Sequence, residues 1–430
     1  VNAAPQIKGW CPSAWRPMLS GDGYLLRLHF SCGIVTSGQA RTLADLAKCY
    51  GNGRIDLTRR ANLQIRGVAE ERTPELQAAL VAEKLLADDA AGEGMPSVIA
   101  SPLAGRDREA LIDIRPLVRE VEARFAADPR RRDLPGKFCV VVEDGGHFPL
   151  HDLPADIAFE ACEQASGARF VVRIGDASVG LVETEEVAET ALALATAFIK
   201  LRNGHAPRAR RMRDLVDKVG LPAITTLSLA SGCTSMNASA RRQPVGDGGR
   251  PGDDVLGRIA EDVFGVAAPF GALRAEEVVL LSDLAEYHGE GELRLTPWRA
   301  FLIPAIASGA IDRVKAECER AGLVTHPTDR RRHIEACTGA PACASASVST
   351  RGIAMALAPL LGPDDTLHVS GCAKACASSA AASVTLVGRH GRFDLVRNGR
   401  TTDTPALFGL FAEEARIAVE GTVAEEFAHL

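Results

Sequence analysis

Four cysteines late in the sequence are spaced for metal chemistry. Cys337-Thr-Gly-Ala-Pro-Ala-Cys343 is followed further on by Gly371-Cys372-Ala-Lys-Ala-Cys376. Each thiolate can supply one ligand, and the intervening Ala, Gly and Ser let backbone wrap closely and donate N–H bonds to cluster sulfurs. Zinc pairs usually stand about two to four residues apart. The second pair fits that window and the first, with five residues between, does not. A disulfide would need an oxidising compartment, which nothing else in the sequence suggests. The pattern therefore reads first as an iron–sulfur site, with zinc, a disulfide or unliganded thiols as the alternatives.

Histidines and cations form the second set of candidates. His147, His151 and Asp152 are the tightest histidine group among ten histidines, but Pro149 between them excludes a shared helix face. His368 lies just ahead of the second cysteine pair, and its plain reading is a hydrogen-bonded histidine at a strand end. The sequence singles out no metal-ligand set among the histidines. Basic runs at 130–132, 208–213, 241–242 and 330–332 are expected mostly as solvated faces, some able to line an anionic pocket.

The chain of 430 residues is long enough for two or three domains. It is 46% hydrophobic and 24% charged, which is ordinary for a soluble globular protein. A net charge of −6 argues against broad nucleic-acid binding. The other seven cysteines (Cys11, Cys32, Cys49, Cys139, Cys162, Cys233 and Cys318) have no regular spacing and read as reduced thiols of a cytoplasmic protein. No apolar stretch precedes Trp10, so no signal peptide is expected. The run Ala191 to Ile199 is too short to cross a bilayer, so no membrane partner is expected either.

The elements that must position these groups can be read from periodicity. Tyr24 to Phe30 alternates as a half-buried strand, with Arg27 and His29 on the polar side. Ser37 is expected to cap a helix that Gly51 ends. Strand-like Ile55–Leu57 and Leu63–Val68 flank a polar break, Thr58-Arg59-Arg60-Ala61-Asn62. Leu57-Thr58, five residues, Gln64-Ile65 aligns with Leu295-Thr296, five residues, Leu302-Ile303, after helical segments at 38–50 and 275–288. Ile99 to Gly105 likewise falls where a second copy has Ile334 to Ala340. Two copies of a sheet-forming unit plus an α/β unit thus fill most of the chain, joined by the Gly/Pro-rich stretch 244–253. The cysteines sit in the second copy only. No flavin or nicotinamide fingerprint is present, so electrons are expected from a partner protein.

The C-x5-C, the G-C-x3-C and the apolar Val384 to Gly388 together resemble the sulfite and nitrite reductase superfamily. By that resemblance Cys337, Cys343, Cys372 and Cys376 are the ligands of a 4Fe–4S cluster. Leu57-Thr-Arg-Arg-Ala-Asn-Leu-Gln-Ile-Arg-Gly67 is similar to the family's L-T-x-R-Q-x-x-Q-x-x-G stretch, whose arginine contacts tetrapyrrole carboxylates. Arg60 takes that place and Ala61 replaces the glutamine. Leu134-Pro-Gly-Lys137-Phe resembles L-P-R-K-[FW], which makes Lys137 an active-site cation. Sulfite reductases carry a second lysine one residue later in that motif, where this chain has Cys139. The resemblance implies an α+β and α/β architecture: two ferredoxin-like halves (1–75 and 244–310) paired in one domain, an α/β domain without cluster (76–243) and an iron–sulfur α/β domain (311–430).

Cys11-Pro and Pro17-Met-Leu-Ser-Gly-Asp-Gly23 resemble a narrower branch, the precorrin-3B synthases of aerobic cobalamin biosynthesis. That likeness implies a monooxygenase that hydroxylates a meso carbon of precorrin-3A with dioxygen and closes a γ-lactone. It further implies a 4Fe–4S cluster, a mononuclear non-haem iron, no sirohaem, and an external donor such as an NADH-fed reductase or a ferredoxin. Lys137 and Arg60 are the expected catalytic cations, and Arg59, Arg60, Arg66 and Lys137 the expected substrate contacts. The rival readings are a sirohaem sulfite or nitrite reductase and a non-catalytic iron–sulfur electron carrier.

Overall fold

The computed structural model describes residues 10–88, 94–165, 167–228 and 255–427. Cys233, Arg241, Arg242 and the 244–253 linker lie outside the described residues. The first copy opens with β1 (Met18–Ser20), β2 (Gly23–Leu28), β3 (Ile34–Thr36), α1 (Ser37–Tyr50), β4 (Arg54–Leu57), β5 (Leu63–Val68) and α2 (Thr73–Ala82). Its α/β unit follows: β6 (Ser97–Ala100), α3 (Arg115–Ala127), β7 (Cys139–Glu143), β8 (Ile157–Gln164), β9 (Gly167–Ile174), β10 (Ala177–Val182), α4 (Val187–His205), α5 (Met212–Val219) and α6 (Leu221–Ser228). The second copy repeats the opening as β11 (Gly257–Ala260), β12 (Val263–Ala267), β13 (Ala272–Arg274), α7 (Ala275–His288), β14 (Glu292–Leu295), β15 (Ala300–Ile303) and α8 (Ile311–Arg320). Its α/β unit comprises β16 (Ile334–Ala336), α9 (Arg351–Leu357), β17 (Leu367–Ser370), β18 (Ala382–Arg389), β19 (Arg392–Gly399), β20 (Leu407–Leu410) and α10 (Ala412–Phe427).

The repeat expected from a few aligned residues extends to the backbone itself. Ser37 stands against Ala275, Arg54 against Glu292 and Thr73 against Ile311, all at one offset. Two left-handed non-glycine positions recur at that offset: Cys32 (φ 55°) with Phe270 (φ 59°), and Ala61 (φ 51°) with Arg299 (φ 60°). Such conformations are costly for residues with a Cβ, so their repetition at unlike residues reflects a shared turn geometry. The two halves interlock by exchanging strands. The sheets run β1-β2-β5-β4-β13 and β11-β12-β15-β14-β3, so each takes its last strand from the other half. One core spans both, from Leu26, Leu43 and Ile65 to Val266, Leu281 and Ile303, and includes Leu76 and Leu80 of α2 and Ile311 and Val314 of α8. The ferredoxin-like unit therefore extends beyond residues 75 and 310.

The α/β units share one topology, β10-β9-β8-β7-β6 and β16-β17-β18-β19-β20. In each, the first three strands pair in parallel and the rest antiparallel.

Local expectations differ from the structure in several places, and in the α/β repeat Ile99 stands against Glu335 rather than Ile334. Thr36, not Ser37, caps α1, because its side chain accepts from Gln39 N while Gln39 reaches back to the Thr36 N–H. The first strand stops at Leu28, and His29 leaves it to bond Asn62 and Glu122. The basic runs are not uniformly solvated faces. Arg131 is buried, and Arg211 is 17% exposed and paired to the buried Asp156 at 3.1 Å. Arg331 clasps Asp329 with two nitrogens, at 2.9 and 2.6 Å. No described helix is long and apolar enough to cross a membrane.

Candidate active site

Strand alternation builds the site from the first half-sheet. Leu26, Leu28, Ile55, Leu57, Leu63 and Ile65 enter the core, which turns Arg27, Asp56, Gln64 and Arg66 to the opposite face. Arg27, Gln64 and Asp56 lie in register across β2, β5 and β4. Arg27 donates to Gln64 Oε1 through Nε (2.9 Å) and a terminal nitrogen (2.7 Å). Burial lowers the Arg27 pKa, with Cys11 opposing that shift and the neighbouring charge of Arg60 adding to it. None of the sequence motifs gives Arg27 a role; its signal in the sequence is a cation on the polar side of an alternating strand.

Arg60 and Lys137 come together. Arg60 projects from the turn between β4 and β5 and donates to Ser97 Oγ (3.0 Å) and to the Lys137 carbonyl oxygen (2.6 Å). The Lys137 side chain is exposed. The N-terminal Trp10-Cys11 segment packs on Gly136, where a Cβ would lie 2.8 Å from Cys11 N.

Arg66 is differently placed. It is 4% exposed and bonds Asp22 through two nitrogens (3.1 and 2.9 Å), Asp56 (3.1 Å) and the Ala342 carbonyl oxygen (3.1 Å). Its hydrogen-bonding capacity is spent holding β1–β2 and β4 to the cysteine loop. Gly21 N and Ser20 Oγ also donate to Ala342 O (3.1 and 2.7 Å), and Arg351 reaches Asp56 at 3.1 Å. The polar sheet face of the first copy thus meets the cysteine loops of the second. Arg59 pairs with Glu335, which also accepts from Arg299 at 2.9 Å.

The four cysteines of the motif occupy one neighbourhood. Burial first, then the nearby Cys372, Cys337 and Cys343, push the Cys376 thiol up; burial likewise raises Cys372, helped by Cys343 and Cys337. Such mutual repulsion suits a site completed by a cationic centre, because metal binding requires the thiolates. Among the described residues no three such side chains converge as ligands to a single ion. All ten described cysteines are free thiols. Gly371 N donates to Cys337 Sγ at 3.2 Å, the backbone-to-sulfur bond that cluster loops use. A Cβ on Gly371 would collide with Ala346, and one on Gly21 with the Pro341 carbonyl oxygen, so the loops close only with glycine there. Donor type and small surrounding residues fit a 4Fe–4S cluster.

The duplicated site is filled in. Ser101 stands where Cys337 does: Ser101 N donates to Val142 O as Cys337 N does to Val369 O (3.2 Å each), and Asp144 N donates to Ser101 Oγ as Gly371 N does to Cys337 Sγ. In the second half-sheet the row Arg27–Gln64–Asp56 becomes Gly265–Leu302–Arg294. Leu302 packs there with Leu103, Phe148, Val255 and Leu256. Among the described residues, the polar sheet face and the cysteines meet at one site per chain.

Among the described residues the histidine group does not gather as a ligand set. His147 and His151 are 38% and 39% exposed, His147 near Glu109 (3.8 Å) and His151 near Asp152 (3.4 Å). His368 is not the satisfied strand-end residue expected, because both ring nitrogens lack a partner although it is 1% exposed.

Sequence comparison agrees with this duplicated architecture. A nitrite/sulfite reductase ferredoxin-like half-domain model matches residues 16–83 and 261–321, and a nitrite and sulphite reductase 4Fe-4S domain model matches 91–227. A precorrin-3B synthase of Sinorhizobium sp is 31% identical over 413 residues, 95% of this chain and 86% of the relative. The chain belongs to the nitrite and sulfite reductase family. Within the family, a ferredoxin–nitrite reductase of Synechococcus elongatus is 26% identical over 90% of this chain and 80% of its own length. The solved Mycobacterium tuberculosis NirA protein shares the fold, with a TM-score of 0.74 at 22% identity over 92% of this chain and 79% of that one. The family's 4Fe-4S domain model falls on the copy whose loop carries Ser101, while the four cysteines lie in the second copy. Family membership makes the protein an oxidoreductase of the iron–sulfur class.

Proposed function

We propose that the protein is a precorrin-3B synthase: a monooxygenase that converts precorrin-3A to precorrin-3B in aerobic cobalamin biosynthesis. The observation that carries this reading is the 31% identity with a precorrin-3B synthase over nearly the whole of both chains. Two departures from the reductase pattern support it, Cys139 in place of a second lysine and Ala61 in place of glutamine. Cys139 is buried and its thiol is raised, first by burial, so it supplies no charge to an oxyanion.

In this reading the slot between the first half-sheet and the cysteine loops receives substrate. Arg60 and Lys137 bind carboxylates of the flat tetrapyrrole, guanidinium by paired bonds and ammonium as a point charge. Arg27 and Gln64 orient the same edge from the neighbouring strands, and Arg59 lies at the rim. Arg66 positions rather than binds, since it fixes the cysteine loop against the sheet. Cys337, Cys343, Cys372 and Cys376 would hold the 4Fe–4S cluster, which supplies electron transfer, and a non-haem iron would supply oxygen activation. One oxygen atom of dioxygen enters the substrate, and the other leaves as water with two protons from solvent and two electrons from an external reductase or ferredoxin.

The test is turnover of precorrin-3A by anaerobically purified protein, supplied with a reductant and then with 18O2. Mass spectrometry should find one labelled oxygen in the product. Consumption of sulfite or nitrite with no change in added precorrin-3A would instead assign the chain to the reductases.

A further inference from the structure

The inner face of the cysteine-domain sheet carries a row that its twin lacks. Parallel pairing sets Glu335, His368 and Thr385 side by side across β16, β17 and β18. The matching backbone bonds of Cys337 and Ser101 fix the equivalent row in the first α/β unit as Ile99, Val141 and Ala158. That row is apolar and packs with Leu150 against Trp298. The fold therefore has no need of a polar row at this place, and its presence in the cysteine domain calls for a separate reason.

Two members of the polar row are satisfied. Thr385 donates to Gly399 O at 2.8 Å, and Glu335 accepts from Arg59 and from Arg299. His368 is buried with no partner on either ring nitrogen, an arrangement that costs free energy unless another state of the protein supplies a partner. Its neighbour on the ladder is Glu335, and Glu335 and Arg59 are the charges that act on its ring. The two arginines holding Glu335 are unlike. Arg299 is 18% exposed, whereas Arg59 is 49% exposed and shares its turn with Arg60 at the slot. Exposed ion pairs are weak and easily exchanged.

We infer that His368 is a positioning residue that operates by partner exchange: when a carboxylate of the bound tetrapyrrole draws Arg59 away, the freed Glu335 oxygen accepts an N–H from His368. The new bond offsets the loss of the Arg59–Glu335 pair, so the ligand gains Arg59 at a reduced penalty. The inference rests on the tetrapyrrole reading for the ligand but not for the exchange itself, which substitution of Arg59 mimics.

A double-mutant cycle on the holoprotein separates the two. His368→Val installs the residue of the twin row, and in the native background it should leave the melting temperature unchanged or raise it. In an Arg59→Ala background, where Glu335 is already free to pair with His368, the same change should lower it. His368→Gln, which keeps an N–H donor, should lower it less. Equal effects of His368→Val in both backgrounds would overturn the exchange, as would destabilisation in the native background alone, which marks a purely structural histidine. Anaerobic titration with precorrin-3A adds the ligand arm. His368→Val should weaken binding by about three- to tenfold, the scale of one hydrogen bond. Wild-type binding matched by the variant overturns the inference. Absence of binding by the wild-type chain overturns the tetrapyrrole reading instead, and the cycle alone then decides the exchange.

Discussion

Replacing Arg66 with Met removes the charge at the centre of the link between sheet and cysteine loop. The guanidinium is 4% exposed, and its partners Asp22 and Asp56 are 13% and 10% exposed. Removing one partner of a buried pair typically costs about 3–5 kcal/mol, because the stranded charge remains. Here Asp56 keeps Arg351 at 3.1 Å and Asp22 keeps Asn52 Nδ2 at 3.2 Å, which offsets part of that loss. The expected destabilisation is therefore near the low end, about 3 kcal/mol. It is read as a shift in the urea midpoint of the ferredoxin-like unit, followed by circular dichroism. Loss of the Ala342 contact should also loosen the Cys343 loop, so iron retained after dialysis should fall with stability. Adding Asp22→Asn to Arg66→Met should recover part of the loss, since Asp56 keeps Arg351 and the Asp22 charge is no longer stranded. A shift below about 1 kcal/mol in the single variant would refute the reasoning, because it would place Arg66 among solvent-screened pairs.

Other outcomes follow from the same geometry. Arg60→Ala should weaken precorrin-3A binding by roughly ten- to a hundredfold while cluster absorbance is unchanged, the scale of about 1.5–3 kcal/mol for a charge-assisted bond. Arg320→Ala, at a side chain 74% exposed, should change the same titration little. Cys337→Ser should bleach the visible absorbance and lower sulfide content, and full retention of sulfide would remove Cys337 from the ligand set. The Arg130 hydrogen bonds hold the Asp128 carboxyl below the usual range. Its contribution to stability is complete above the unfolded value of about 4 and is lost as pH falls through the lowered folded value. Asp128→Asn should remove that part of the acid limb, as measured by melting at stepped pH.

The duplicated fold was legible because its periodicities are local. Leu63–Val68 and 275–288 stand in the structure with the bounds that alternation and helical spacing give. The strand exchange between halves was not legible, since β3 and β13 are three residues long and their pairing is decided by tertiary contacts. The grouping of the four cysteines was legible in their spacing, whereas Arg60 was marked by its place in the family's L-T-x-R stretch. Arg66 shares Arg60's stretch but lies on the sheet face, so only burial distinguishes clamp from contact. Arg27 and the Arg59–Glu335–Arg299 group join residues far apart in the chain, and no local pattern marks them. Arg211 misleads for the same reason: its partner Asp156 lies 55 residues earlier, beside β8 of the same α/β unit, out of reach of any charge-run rule.

The central claim is that the slot between the first half-sheet and the cysteine loops holds a tetrapyrrole as substrate rather than as a resident sirohaem. Iron and sulfide analysis with acid-acetone extraction of anaerobically purified protein tests it most directly. The account predicts a broad brown absorption, no extractable tetrapyrrole, and iron in excess of the cluster's complement by about one atom per chain. A stoichiometric red-absorbing chromophore released into the acid-acetone would contradict it.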